Sequence, residues 1–231
     1  MKTIGILGGM SWESTLQYYR MMNEQVQEQL GGHHSIEAII YSVNFEEILP
    51  LVHVNDWDSI AMRLSKLAIK LETAGADFLI MTSNAIHKIF PQIESALNIP
   101  ILHIVDPTAL AIQSEQIKKV ALLGTKVTME EPFYKQRLQD EFGIEAIIPD
   151  ETDRAEIHRI IFDELTKGIV KEGSRNRLIQ MISKLADRGA EGIILGCTEL
   201  NLLIHADDVC VQLFDTTALH SKAAVAKALS W

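Results

Sequence analysis

Short apolar runs and longer amphipathic stretches alternate along the whole chain. The short runs, rich in Ile, Val and Leu, predict strands at residues 3–7, 37–43, 78–81, 101–104, 120–123, 145–148, 192–195 and 209–214. The stretches between them repeat their apolar positions at helical spacing. They predict helices at 12–29, 57–74, 86–96, 107–113, 130–141, 154–167, 174–188 and 217–229. Near-continuous apolar strands are buried on both faces and need helices on each side, so the alternation points to βαβ units and a mainly parallel sheet. The expected class is α/β.

The pattern repeats itself. Gly75-Ala76-Asp77 leads through an apolar run to Ser83-Asn84, and Gly189-Ala190-Glu191 leads through another to Cys197-Thr198, with equal spacing (83 − 75 and 197 − 189). Gly8 and Gly124 each end a strand, and Tyr18 and Tyr134 each follow ten residues later. These echoes share nearly one offset: 124 − 8 and 134 − 18 are both 116, and 197 − 83 is 114. Asp106-Pro107-Thr108-Ala109-Leu110 against Asp215-Thr216-Thr217-Ala218-Leu219 is a third echo in the same order. Two copies of one unit are therefore expected: similar Rossmann-like lobes with mainly parallel sheets, pseudo-twofold related, with the active site in the interlobe cleft. The first lobe is expected to span residues 1–105, with 215–231 packing back on it, and the second 106–214.

Composition narrows the partners. A net charge of -10 with scattered basic residues excludes a phosphate-backbone partner, so no nucleic-acid function is read. No run approaches the roughly 18 apolar residues of a membrane helix. The opening Met1-Lys2-Thr3-Ile4-Gly5-Ile6-Leu7-Gly8 meets a glycine turn too early for a signal peptide, and a cytoplasmic protein with no membrane partner is expected. Cys197 and Cys210 are too few for a disulfide scaffold or a zinc cluster. Cys210, between Val209 and Val211, reads as an inert buried strand residue.

In open α/β sheets ligands bind beyond the carboxyl ends of the strands. Four small polar loops meet that condition: Gly8-Gly9-Met10-Ser11, Thr82-Ser83-Asn84, Gly124-Thr125 and Gly196-Cys197-Thr198-Glu199. Each is expected to open a helix and so to present N–H groups to a carboxylate. Cys197, at such a helix start, is expected to have a lowered pKa and to act as acid or base; the bland alternative is a small buried residue. Glu199 binds a substrate ammonium or influences the thiol, or is simply a first-turn acid. Ser83 matches Cys197 in the other copy, and a helix N-cap explains it equally well. Asn84 and Thr198 either donate to a substrate carboxylate or satisfy a helix end. His87 supports the site or sits on a helix surface, and His33-His34 is given no role. Gly5-x-x-Gly8-Gly9 does not satisfy the dinucleotide fingerprint, no P-loop lysine follows, and no zinc motif or pyridoxal-phosphate lysine is marked. No cofactor and no metal are expected.

At these residues the chain resembles the aspartate/glutamate racemase family. Gly8-Gly9-Met10-Ser11-Trp12-Glu13-Ser14-Thr15 is similar to its opening loop, and Gly196-Cys197-Thr198-Glu199-Leu200 to its second catalytic motif. Ser83-Asn84-Ala85-Ile86-His87 resembles the first motif, with serine where most members carry cysteine, and Phe214-Asp215-Thr216-Thr217 the C-terminal segment. The resemblance implies a two-lobed, cofactor-independent enzyme, a homodimer, in which two residues on opposite faces of the substrate exchange its Cα proton. Carried over, Cys197 is one catalytic residue and Ser83 stands where the other belongs. Met10, Asn84, the backbone at Ala85, Thr198 and Glu199 would hold a small acidic amino acid, with Thr125 as a further contact. Serine is far less acidic than a thiol, so a symmetric two-thiol mechanism is not available. The leading expectation is a racemase acting on aspartate or glutamate. The alternatives are a one-thiol isomerase or decarboxylase of the same superfamily and a catalytically weak amino-acid-binding relative.

Overall fold

The computed structural model describes residues 1–230. Trp231, the end of the segment expected to pack back on the first lobe, lies outside the described residues. The chain divides into two compact units: residues up to Ile104 together with the segment from His220 onward, and Val105–Leu219. Both units are built on parallel sheets, so the two similar lobes expected from the repeat are present.

The first unit begins with β1 (Ile4–Gly8), α1 (Trp12–Leu30) and β2 (Ala38–Ser42). The short α2 (Leu49–His53), then α3 (Trp57–Thr73), β3 (Phe78–Met81) and α4 (Phe90–Glu94) follow. Its sheet runs β2-β1-β3, with a single parallel bridge from Leu79 to Ile101. The strand expected at 101–104 is thus reduced to one bridge, because α5 (Val105–Ser114) winds up immediately afterwards. The helix expected at 86–96 is a 3-10 turn, Ala85–Ile89, followed by α4, with Pro91 in the first turn of α4. Proline has no N–H for an i→i−4 bond, so it suits a helix start and not an interior.

From α5 the second unit continues through β4 (Lys119–Gly124), α6 (Lys126–Glu130), α7 (Pro132–Phe142) and β5 (Glu145–Ile147). Then come α8 (Glu151–Asp163), α9 (Glu172–Asp187), β6 (Gly192–Gly196), β7 (Gln212–Asp215) and α10 (Thr216–Leu229). The sheet order is β5-β4-β6-β7. With Ile101 counted as the remnant of a fourth strand, the two sheets have one topology. The α2 and α6 segments are too short for periodicity to reveal. Cys210 is exposed and lies ahead of β7, so the buried-strand reading is wrong; only residues from Gln212 on join the ladder.

The central strands β1, β3 and β6 are buried throughout, as parallel strands covered on both faces must be. In the second unit Ala121, Leu123, Ile193 and Leu195 form a core with Ile157, Ile160 and Ile161 of α8 and Leu178, Met181 and Leu185 of α9. In the first, Ile4, Ile6, Phe78 and Ile80 pack with Tyr18, Met22 and Val26 of α1 and with Ala224, Val225 and Ala228 of α10. Fully burying one such side chain is worth about 1.5–3 kcal/mol.

The part of α10 from His220 onward is also fastened to the rest of the first unit by polar contacts. Lys2 donates its N–H to the Ala228 carbonyl at 2.8 Å. Buried His220 accepts from the Tyr18 hydroxyl through Nδ1 at 2.9 Å and donates from Nε2 to the Leu102 carbonyl at 3.0 Å. Burial lowers its pKa to about 4. The unfolded chain takes up this proton near pH 6.5 and the native protein only near 4. Stability from neutral His220 is therefore complete above 6.5 and is lost as pH falls through that window, by about 2–3 kcal/mol between pH 7.5 and 4.5. Urea unfolding at the two pH values should show that loss, and His220→Gln should flatten it. An unchanged slope in the variant would remove His220 as its cause.

Candidate active site

The first half-site is built on the carboxyl edge of the β1–β3 pair. Gly9 has φ 88, a left-handed conformation, and a Cβ there would collide with the Val43 backbone. Thr15 of α1 ties the loop together. Its hydroxyl accepts from the Gly9 N–H at 2.9 Å, donates to the Ser11 carbonyl at 3.2 Å and lies 3.1 Å from the Thr82 hydroxyl. The glycine loop and the loop carrying Ser83 are thereby held to one another. Ser11 caps α1 by accepting from the Ser14 N–H. Met10 and Asn84 are buried, while Ser83 and Ala85 keep part of their surface accessible. The Thr15–Thr82 link was not predicted; a threonine in the first turn of a helix carries no signal for a partner so far along the chain.

The second half-site occupies the matching edge of β4–β6. Gly124 and Gly196 are opposite one another in the ladder, and a Cβ on Gly124 would sit 2.8 Å from the Gly196 carbonyl oxygen. Thr125 caps α6, its hydroxyl accepting from the Thr128 N–H at 3.5 Å. The loop directly after Gly196 opens no α-helix. Leu200 donates its N–H to the Cys197 carbonyl at 3.1 Å, and a 3-10 turn spans Leu200–Leu202. Asn201 in that turn donates to Asp215 at 2.9 Å, and Thr216 donates its hydroxyl proton to the Leu195 carbonyl at 2.8 Å. The Phe214-Asp215-Thr216-Thr217 segment thus braces the cysteine loop. Its part was not assigned from the sequence.

Ladder register relates the two halves. Met81 pairs with Leu7 in one lobe, and Leu195 pairs with Leu123 in the other. Ser83 and Cys197 each follow their paired residue by two positions, so they occupy equivalent places in the two sheets. Of the four loops expected to open an α-helix, those at Ser11 and Thr125 do so, and those carrying Ser83 and Cys197 lead into 3-10 turns instead. Ser83 is not an N-cap; Asn84 precedes the turn and makes no side-chain cap bond.

This changes the electrostatics of Cys197. Its Sγ–H donates to Glu199 Oε2 at 3.0 Å, and the Thr198 hydroxyl donates to the same oxygen at 2.7 Å. Burial and the adjacent Glu199 carboxylate push the thiol well above its ordinary pKa, the reverse of the shift expected at a helix N-terminus. At neutral pH Cys197 therefore rests as the thiol. Buried Glu199 is informative beside Glu164, another buried acid, which meets Ser174, Arg159 and Lys171 in an ion-paired structural lock. Among the described residues no cluster of three or more His, Cys, Asp or Glu is placed to hold a metal ion. Nor is any helix among them long and apolar enough to cross a membrane.

Residues 7–224 match the model of the Asp/Glu/Hydantoin racemase family. The chain belongs to this family. An Asp/Glu racemase candidate from Yersinia pestis is 50% identical, with a TM-score of 0.94 over 100% of both chains. An aspartate racemase homologue from Pyrococcus horikoshii OT3 is 37% identical, with a TM-score of 0.87 over 100% of both chains. The broad specificity amino-acid racemase RacX of Bacillus subtilis (strain 168) is 28% identical over 99% of both chains. Membership in the racemase family assigns the chain an isomerase-type role in general.

If the Glu199 charge raises the thiol, removing it should ease ionisation. Glu199→Gln is expected to make Cys197 react with iodoacetamide at pH 8 about tenfold faster, followed by peptide mapping so that exposed Cys210 is scored apart. Slower alkylation in the variant would mean that Glu199 promotes the thiolate instead.

Proposed function

We propose that the protein is an amino-acid racemase acting on aspartate or glutamate, with Cys197 and Ser83 serving opposite faces of the substrate Cα. The observation that carries this reading is the Cys197–Glu199 pair at the ladder position equivalent to Ser83. In this reading Asn84, the backbone at Ala85 and Thr198 hold the α-carboxylate, and Met10 and Thr125 complete the walls. Glu199 receives the α-ammonium. A cation there offsets the carboxylate charge that opposes ionisation of the thiol, so substrate binding itself makes Cys197 a better base. The thiol gives up its proton to solvent, and the resulting thiolate takes the Cα proton from one enantiomer.

On the other face a serine hydroxyl is a poor base, yet it can donate a proton to the strongly basic carbanion. The two directions of turnover are then unequal. Exchange of one enantiomer through Cys197 should outpace net inversion. A second reading, a one-thiol isomerase or decarboxylase of the same superfamily, is favoured by the same hydroxyl at residue 83. Release of CO₂ or cis–trans change in a diacid distinguishes it.

Incubation of L- and D-aspartate and glutamate in D₂O, followed by NMR and chiral analysis, tests the proposal. One enantiomer should exchange Cα–H with solvent faster than it inverts. Cys197→Ala should abolish both processes, and Ser83→Cys should raise inversion. A fully active Cys197→Ala variant would overturn the proposal, and equal fast exchange of both enantiomers would contradict the asymmetry.

A further inference from the structure

His87 is buried, not on a helix surface as one reading of the sequence had it. Its ring is held at both nitrogens by backbone. Nδ1 lies 2.8 Å from the Ser83 carbonyl oxygen, and Nε2 lies 3.2 Å from the Ile104 backbone nitrogen. A carbonyl only accepts and an amide N–H only donates. The ring must therefore carry its proton on Nδ1 and keep a lone pair on Nε2, which makes it neutral and fixes one tautomer.

The ring has little freedom to turn. Phe90 stacks on it at 6.2 Å between centroids, and His103 meets it edge-on at 4.6 Å. The segment it leans on is clamped too, because His220 donates to the Leu102 carbonyl and accepts from Tyr18. A rail of directed hydrogen bonds and backbone thus runs from Tyr18 through His220, the segment 102–104 and His87 to the Ser83 carbonyl. Orienting that carbonyl orients the Ser83–Asn84 peptide plane, and with it the hydroxyl of residue 83 and the start of the 3-10 turn.

From this we infer that His87 is a positioning residue for Ser83, acting through the Ser83 carbonyl and not touching substrate. The inference rests on the racemase reading of the Ser83 half-site and adds to it a specific consequence. Inversion needs the Ser83 face, whereas exchange without inversion needs only Cys197. Loss of the Nδ1–H bond should therefore slow inversion and spare exchange. A merely structural role would lower both together.

Three variants separate these cases. In His87→Asn the side-chain amide can still donate to the Ser83 carbonyl. His87→Gln reaches the Nε2 position and retains only the Ile104 contact, and His87→Leu keeps neither. His87→Gln and His87→Leu should lower the inversion kcat by about 10- to 100-fold, with KM and Cys197-side exchange held within about threefold. His87→Asn should restore most of the inversion rate. Proportional losses in inversion and exchange, or no loss in His87→Leu, would overturn the inference.

A second measurement does not depend on turnover. In ¹⁵N-histidine NMR of the unmodified protein, His87 should show a protonated Nδ1 and an unprotonated Nε2, and the Ser83 carbonyl ¹³C shift should move in His87→Leu but not in His87→Asn. The opposite tautomer, or an unmoved Ser83 carbonyl in both variants, would sink the inference whatever the activity. The expected spectra from a protein that exchanges no aspartate or glutamate would leave the His87–Ser83 coupling standing and refute the racemase reading instead.

Discussion

Parallel pairing is the constraint from which the candidate site follows. Every ladder in both sheets is parallel, so the loops that leave the strands of one lobe emerge along one edge. Register then sets depth along that edge. Because Leu7 faces Met81 and Leu123 faces Leu195, Ser83 and Cys197 project from equivalent points of two similar scaffolds. Backbone pairing alone thus distributes the two residues, and close packing holds the register. Gly196 and Gly124 face each other where a side chain would collide, and Thr15 bridges the loops of the other sheet. Rigid supports of this kind suit proton transfer at carbon, where misplacement by about 1 Å can cost a hundredfold in rate.

The two half-sites differ in chemistry although they share geometry. One presents a thiol hydrogen-bonded to a buried carboxylate, the other a hydroxyl whose own carbonyl is held by a buried imidazole. Under the proposed function, the first arrangement keeps a proton on sulfur until a substrate cation reaches Glu199, which ties ionisation to occupancy. The second, under the proposed role of His87, sets the direction of the hydroxyl through its carbonyl. Such a division fits an enzyme that handles the two enantiomers unequally.

Much of this was legible in the sequence, for reasons that differ by element. The repeat was legible because the same residue spacing, carried through a strand, separates Gly75 from Ser83 and Gly189 from Cys197. The four polar loops were legible because small residues stand out at the ends of apolar runs. The state of Cys197 was not. A strand end followed by Thr-Glu-Leu suggested an α-helix and a lowered thiol pKa. The chain makes a 3-10 turn, and Glu199 folds back onto the sulfur. Which way a glutamate side chain bends has no signature in spacing. His87 escaped for a similar reason, since its burial depends on Ile104, Phe90, His103 and His220, which are distant or unpatterned in sequence. Cys210 misled in the opposite sense: an apolar tripeptide lies just outside the ladder and leaves the thiol exposed.

The central claim is that residues 83 and 197 attend one Cα from two sides. The most direct measurement is a crystal structure of the Cys197→Ser variant with L-aspartate bound, in which turnover is suppressed and the scaffold kept. The account predicts that the Cα lies within about 3.5 Å of the side-chain oxygens of both residues 83 and 197, with the α-ammonium at Glu199 and the α-carboxylate at Asn84 and Thr198. An amino acid bound elsewhere, or one whose Cα approaches only one of the two, would contradict it.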